Sequence, residues 1–147
     1  FNMYADAEPA RTVLRSPATK TLVPLDVSSK VVLTFEQFDH LPSAEGSAVG
    51  RLLHELLPFG LRAHHQHLGV EGVRLHEVAA LAAVSRPDLF ETRPMAIDVE
   101  TTGELTRGMT VFDRRGTRNW QTNIDVVRNV GAHGVLDYLA RILQRAP

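Results

Sequence analysis

The sequence predicts an α/β protein, and three observations carry that prediction. Apolar residues recur at helical spacing in several separate segments, short β-rich or alternating runs fall between them, and no apolar run approaches the ~20 residues of a membrane span. Helices and strands interleaved in this way pack as a sheet covered by helices.

Taken in order, Asp6 is placed to N-cap a helix with Glu8 and Pro9 in its first turn, where an acid complements the helix dipole and a missing N–H is harmless. Ala10, Val13 and Leu14 follow at helical spacing, and Ser16-Pro17 ends the run. Residues 21–27 read as a strand, with Pro24 pointing to an edge or a strand end. Thr34 N-caps a helix through Phe35 and Phe38 that Pro42-Ser43 stops. Residues 48–61 put Val49, Leu52, Leu53, Leu56 and Leu57 on one helical face, with Pro58 and Gly60 fraying the end. Residues 62–74, with His64, His65, His67 and two glycines, have no period and read as a loop. From His76 to Val84 the chain is apolar on all sides, which predicts a buried helix closed by Ser85, Arg86 and Pro87.

Residues 95–100 alternate as a strand and 109–112 form a second. Gly103 and Gly108 lie in the connection, so the pair is expected to be a hairpin with a longer loop. Residues 119–127 read as another strand and 135–143 as a terminal amphipathic helix. Trp120 is expected in the core or an interface.

At 147 residues the chain is one domain's length, with 44% hydrophobic and 22% charged residues, average for a globular protein. Sixteen basic against seventeen acidic residues leave a formal charge of −1, without the basic footprint that nucleic acid or an anionic membrane requires. With no cysteine, a metal must be held by oxygen or imidazole. His64, His65 and His67 do not have a zinc-site spacing. The N-terminus has neither the basic start nor the apolar centre of a signal peptide, and a cytoplasmic location is expected. The first residue is Phe1 rather than Met, so the chain is expected to begin inside something larger or to have been processed.

Three stretches resemble the nucleoside hydrolase family. Phe1-Asn2, Asp6-Ala7-Glu8-Pro9-Ala10 and Val23-Pro24-Leu25-Asp26-Val27-Ser28 follow the order of its Glu-Phe-Asn, Asp-Pro-Glu-Ala-Ala and Leu-Asp-Val-Thr segments. Asp98-Val99-Glu100-Thr101, Gly103-Glu104-Leu105-Thr106-Arg107-Gly108 and Asp113-Arg114-Arg115 match its C-terminal hairpin almost residue for residue. Leu75-His76-Glu77-Val78 stands in place of its His-Asp-Pro before an apolar helix.

The resemblance implies that residues 1–147 are the C-terminal part of an inosine-uridine preferring nucleoside hydrolase domain. The expected fold is then the second half of an open, mostly parallel, Rossmann-like sheet flanked by helices, with a C-terminal hairpin and terminal helix. The activity implied is calcium-dependent N-ribohydrolysis, which splits ribonucleosides into ribose and free base, as in purine and pyrimidine salvage. Such a reaction builds positive charge on the sugar. It needs an activated water, for which a hard divalent ion serves, and a proton or electrophile for the departing base.

By the same resemblance His76 assists base departure, and Glu77 takes the place of an aspartate that binds calcium and a ribose hydroxyl. Asn2 holds the ribose, Phe1 lies against its apolar edge, and His64 falls in the segment matching a mobile loop whose aromatic residues close over the nucleobase, where it either contacts substrate or is part of a solvated loop. Taken alone, a histidine at a helix start is equally a satisfied polar residue, a first-turn glutamate complements the dipole, and Asn2 is a polar residue at a chain end. The charged residues Glu100, Glu104, Arg107, Asp113, Arg114 and Arg115 are expected to pair across the hairpin.

The chain departs from the family in two ways. The N-terminal aspartate cluster that builds the calcium cage is not in these residues, whose eight aspartates are scattered, and Glu77 replaces aspartate. The expected calcium site is therefore incomplete, the isolated chain inactive, and the N-terminal half of the same protein or another copy its partner in an oligomer. A non-catalytic module kept for binding or assembly is the alternative.

Overall fold

A computed structural model of the chain describes residues 1–115 and 120–146. Seven α-helices lie among the described residues: α1 (Asn2–Ala5), α2 (Ala7–Arg15), α3 (Leu25–Ser28), α4 (Phe35–Phe38), α5 (Ala48–Leu68), α6 (His76–Ser85) and α7 (Ala132–Gln144). The strands are β1 (Thr21–Leu22), β2 (Val32–Leu33), β3 (Val73–Arg74), β4 (Phe90–Val99), β5 (Thr110–Asp113) and β6 (Ile124–Val130). The chain divides into two units, Phe1–Leu22 with Thr92–Arg128, and Val23–Glu91 with Asn129–Pro147.

The first unit is organised on a sheet of order β1-β6-β4-β5. β1 runs parallel to β6, and β4 pairs antiparallel with β5. Asp6 stands at the N-cap of α2 without a side-chain capping bond. Ala7 and Leu14, two helical turns apart on α2, pack with Met95, Ile97, Val99, Ile124 and Val126 into one apolar cluster. On β4 the expected alternation gives way to consecutive burial of Met95, Ala96 and Ile97, the pattern of a strand covered on both faces.

Strand 119–127 begins later than expected, at Ile124 (Asn119 lies outside the described residues), because Asn123 serves as a clamp. Its amide Nδ2 donates to the Leu14 and Ile97 carbonyls at 3.0 Å each, and its Oδ1 accepts from the Ile97 N–H at 3.0 Å. One side chain thus ties the end of α2 to β4. Trp120 is 41% exposed and does not belong to the core.

The hairpin forms as expected, with Ala96 opposite Asp113 and Val99 opposite Thr110. β5 is only four residues long, so most of the charges lie in the loop or beyond the strand end, and Glu100 and Arg107 find their partners elsewhere among the described residues. Glu100 accepts from the N–H and hydroxyl of Thr102 and the N–H of Gly103, which holds its carboxyl below the ordinary range. Arg107 reaches back to α1 and α2, donating to the Tyr4 carbonyl at 3.2 Å and to Glu8 at 3.0 Å. Asp113 accepts from the Arg115 N–H at 2.9 Å. Gly108 has φ +83 and lies so close to Tyr4 that a Cβ would run into its backbone, so both conformation and space demand glycine.

Asp98 on β4 accepts from Arg11 Nε at 3.2 Å, Arg15 Nη2 at 2.5 Å and the Val99 N–H at 2.9 Å. Desolvation pushes its carboxyl up, but the Arg15 hydrogen bond, the Val99 N–H and the two guanidinium charges outweigh this and hold it below the ordinary value. A carboxyl depressed in the folded state contributes stability that is complete above the unfolded pKa of ~3.9 and is lost as pH falls through the folded one. Asp98→Asn is therefore expected to remove roughly 1–2 kcal/mol at neutral pH. It should also flatten the fall in thermal midpoint below about pH 4, read by circular dichroism. Equal acid sensitivity in the two proteins would refute this.

The expected strand 21–27 shortens to β1 of the first unit, because extended Pro24 (φ −75, ψ 159), in the second, N-caps the one-turn helix α3. Thr34 and Gln37 form a capping box at α4. α5 starts at Ser47, whose hydroxyl accepts from the Gly50 N–H at 3.0 Å. It does not fray at Pro58 or Gly60 but runs to Leu68, so the expected loop 62–74 is helical over most of its length. An interior proline forfeits one backbone bond and roughly 3 kcal/mol, yet turns on both sides persist and Leu61 is fully buried. The stop is Gly69, left-handed at φ 62, whose N–H returns to the His64 and His65 carbonyls. The buried face of α5 is also rotated from the expected one: Gly50 and Leu61 are buried while Leu52, Leu56 and Phe59 are exposed.

β2 and β3 pair antiparallel, Val32 opposite Arg74 and Leu33 opposite Val73. α6 packs on α3, α7 and the 3-10 turn Pro87–Leu89. It is not buried all round: Ala79 and Ala82 point inward while Leu81 and Val84 are 70% and 82% exposed. Three neighbours within the unit cover only part of a helix's circumference. The terminal helix α7 forms as expected and buries Val135 and Leu136.

Candidate functional site

His76 is delivered to its position by the small sheet. β3 ends at Arg74, the Leu75 N–H donates to the Val31 carbonyl at 2.8 Å, and α6 opens at once with His76 and Glu77. The N-cap, Leu75, offers no side-chain acceptor, so the first-turn carboxylate of Glu77 is what complements the exposed N–H groups there. His76 is half-buried and Glu77 is exposed. The His76 Nδ1 lies 2.9 Å from the hydroxyl of Ser28, a buried residue at the end of α3. That leaves Nε2 as the ring nitrogen available to a substrate.

Ser28 is the residue that sequence reasoning missed. The signal was present: Leu25-Asp26-Val27-Ser28 had been matched to a family segment ending in threonine, another hydroxyl. Without the packing of α3 on α6, nothing linked that hydroxyl to a histidine far along the chain.

The other expected residues are placed as follows. His64 belongs to α5 rather than to a loop, and its Nδ1–H donates to the Gly60 carbonyl one turn back at 2.9 Å. His65 pairs with Glu71 at 2.9 Å, beyond the helix end. Phe1 is 98% exposed and Asn2, also exposed, opens α1. Both belong to the first unit, whereas His64, His76 and Glu77 belong to the second. The structure thus joins His76 to Ser28, with Glu77 next to it at the opening of α6.

Among the described residues no three His, Asp or Glu side chains gather into a group able to hold a metal ion. Calcium takes about 6–8 oxygen ligands, of which Glu77 would supply one or two. The described residues do not by themselves fit a complete calcium site.

The class is α/β, with a parallel strand pairing and an antiparallel hairpin. The sequence pattern described as inosine-uridine preferring nucleoside hydrolase matches residues 1–137, and the chain belongs to that family. It is 33% identical over 148 aligned residues to a non-specific ribonucleoside hydrolase RihC of Escherichia coli O157:H7, covering 100% of this chain and 46% of that protein. The RihC of Shigella flexneri is 34% identical with the same coverage. The chain thus spans about half the length of the curated relatives it matches.

Among solved structures, a plant nucleoside hydrolase, PpNRh1, superposes with a TM-score of 0.85 at 22% identity over 99% of this chain and 47% of its own. A purine-preferring ribonucleoside hydrolase from Gardnerella vaginalis gives 0.81 at 24% identity over 94% and 43%. These likenesses establish the fold, a nucleoside hydrolase half with an open sheet and flanking helices.

Proposed function

We propose that the intact protein carrying this chain hydrolyses the N-glycosidic bond of ribonucleosides to ribose and free base. The observation that carries this reading is His76, held through Nδ1 with Nε2 left over, beside Glu77 at the opening of a helix in a chain of this family. In this reading His76 gives the departing base a proton or hydrogen bond. Glu77 contributes a carboxylate to a calcium ion and a ribose hydroxyl, Asn2 holds the ribose and Phe1 covers its apolar edge. His64 would meet the base only from a helix.

The remaining calcium ligands would come from the other half of the domain, so the partner of this chain is that half or another copy, and the working form is an oligomer in the cytoplasm. The exposed row Leu52, Leu56 and Phe59 on α5 supports such pairing, since stripes of this kind are usually covered. A well-behaved monomer of the 147-residue chain in sedimentation would count against it.

The test is ribose release from inosine and uridine, with and without added calcium, by the intact protein and by this chain alone. Turnover by the intact protein and none by the chain is expected. A second reading, a module retained for binding or assembly, is favoured by Glu77 standing where the family has aspartate. Nucleoside binding without ribose release by the intact protein would establish it.

A further inference from the structure

Ser28 is 4% exposed, and its single hydroxyl proton has two candidate acceptors. One is the Leu25 carbonyl at 3.4 Å, the other His76 Nδ1 at 2.9 Å. The Leu25 carbonyl is already served twice over. It accepts from the Ser29 N–H at 3.0 Å and from the Ser29 hydroxyl at 2.5 Å. A carbonyl oxygen has two lone pairs, and both are taken by shorter bonds. A hydroxyl contact of 3.4 Å also lies well outside the usual 2.5–3.0 Å range, whereas 2.9 Å lies within it. The Ser28 proton therefore goes to Nδ1.

We propose that Ser28 is a positioning residue for His76, donating its hydroxyl proton to Nδ1 and so holding the imidazole in the tautomer that carries its own proton on Nε2. A neutral histidine has one donor nitrogen and one acceptor. With Nδ1 fixed as the acceptor, Nε2–H becomes an obligatory donor, and the ring presents it in one rotation. The inference rests on the proposed hydrolase reading for its purpose, since an N–H donor is what a departing nucleobase nitrogen requires. It rests on the geometry alone for the tautomer. A histidine held in the opposite tautomer would offer the base a lone pair and repel it.

The experiment uses the intact protein labelled with ¹⁵N-histidine, its His76 signals assigned by their loss in His76→Gln. Ring nitrogen shifts and long-range couplings report which nitrogen bears the proton. Wild type is expected to show the Nε2–H pattern, and Ser28→Ala a mixture of tautomers or the opposite one. Ser28→Ala should also lower kcat by about 10- to 100-fold, the scale of a misplaced catalytic group, with KM changed by less than about threefold. Ser28→Thr keeps the hydroxyl and should recover most of both losses, which a purely structural serine would not require. A wild-type ring protonated on Nδ1, or a Ser28→Ala ring with its tautomer unchanged, overturns the proposal. So does an unchanged kcat in Ser28→Ala despite a switched tautomer. Absence of ribose release by the wild-type protein would instead sink the hydrolase reading while leaving the spectroscopic result to decide the Ser28–His76 assignment.

Discussion

Replacing His76 with alanine in the intact protein is expected to lower kcat for inosine by about 10²–10⁴-fold, the range a positioned acid or base contributes. The loss should fall on kcat more than on KM, because in the proposed reading the ring serves the leaving base as charge develops rather than the resting substrate. The expected discriminator is the leaving group. A riboside of p-nitrophenol departs as a stable anion and needs no proton, so the same variant should lose far less rate on it than on inosine. Alanine also leaves the buried Ser28 hydroxyl without the Nδ1 acceptor it has now, at a cost of about 1–3 kcal/mol. His76→Gln, which keeps hydrogen-bonding groups near that hydroxyl, separates folding from catalysis. Equal losses on inosine and on the p-nitrophenyl riboside would show that His76 does not assist the leaving group.

How much of this was legible in the sequence depended on whether the signal was local. The Thr34 N-cap, the hairpin around Gly103 and Gly108, and the terminal helix are written in neighbouring residues, and each forms as read. Pro58 misled because a proline's local penalty was set against a helix whose burial at Leu61 lies beyond it, while the true stop was the left-handed Gly69. The β-rich run 21–27 suggested more strand than forms, while Pro24, read as an edge or strand end, does stand past the end of β1 and starts a helical turn. The charges of the hairpin were legible as a motif but not as partners. Arg107 meets Glu8, and Asp98 meets Arg11 and Arg15, across separations that no local pattern encodes. The site divides along the same line. His76 and Glu77 could be proposed because they are adjacent and lie in a stretch resembling a family motif; Ser28 needed the fold.

Glu77→Asp is the second change from which a large effect is expected, and here the direction is a gain. In the intact protein the variant should tighten calcium binding by at least about tenfold, ~1.4 kcal/mol, measured by calorimetric titration, with a parallel rise in the rate of ribose release. The resemblance implies aspartate at this position, and the glutamate's extra methylene shifts the carboxylate by roughly one C–C bond, ~1.5 Å. A cage of oxygens at 2.3–2.6 Å from the ion absorbs such a shift only by moving another ligand or admitting water. The exchange is otherwise quiet. Glu77 is exposed in the first turn of α6, where aspartate complements the helix dipole equally well, and it lies outside the Ser28–His76 hydrogen bond. Stability and the His76 tautomer should therefore stay put, so that any change in calcium affinity reads the reach of the carboxylate alone. Tight calcium binding by the wild-type protein, with neither affinity nor rate altered by Glu77→Asp, would mean that the longer side chain already fits the cage and that the glutamate is no handicap.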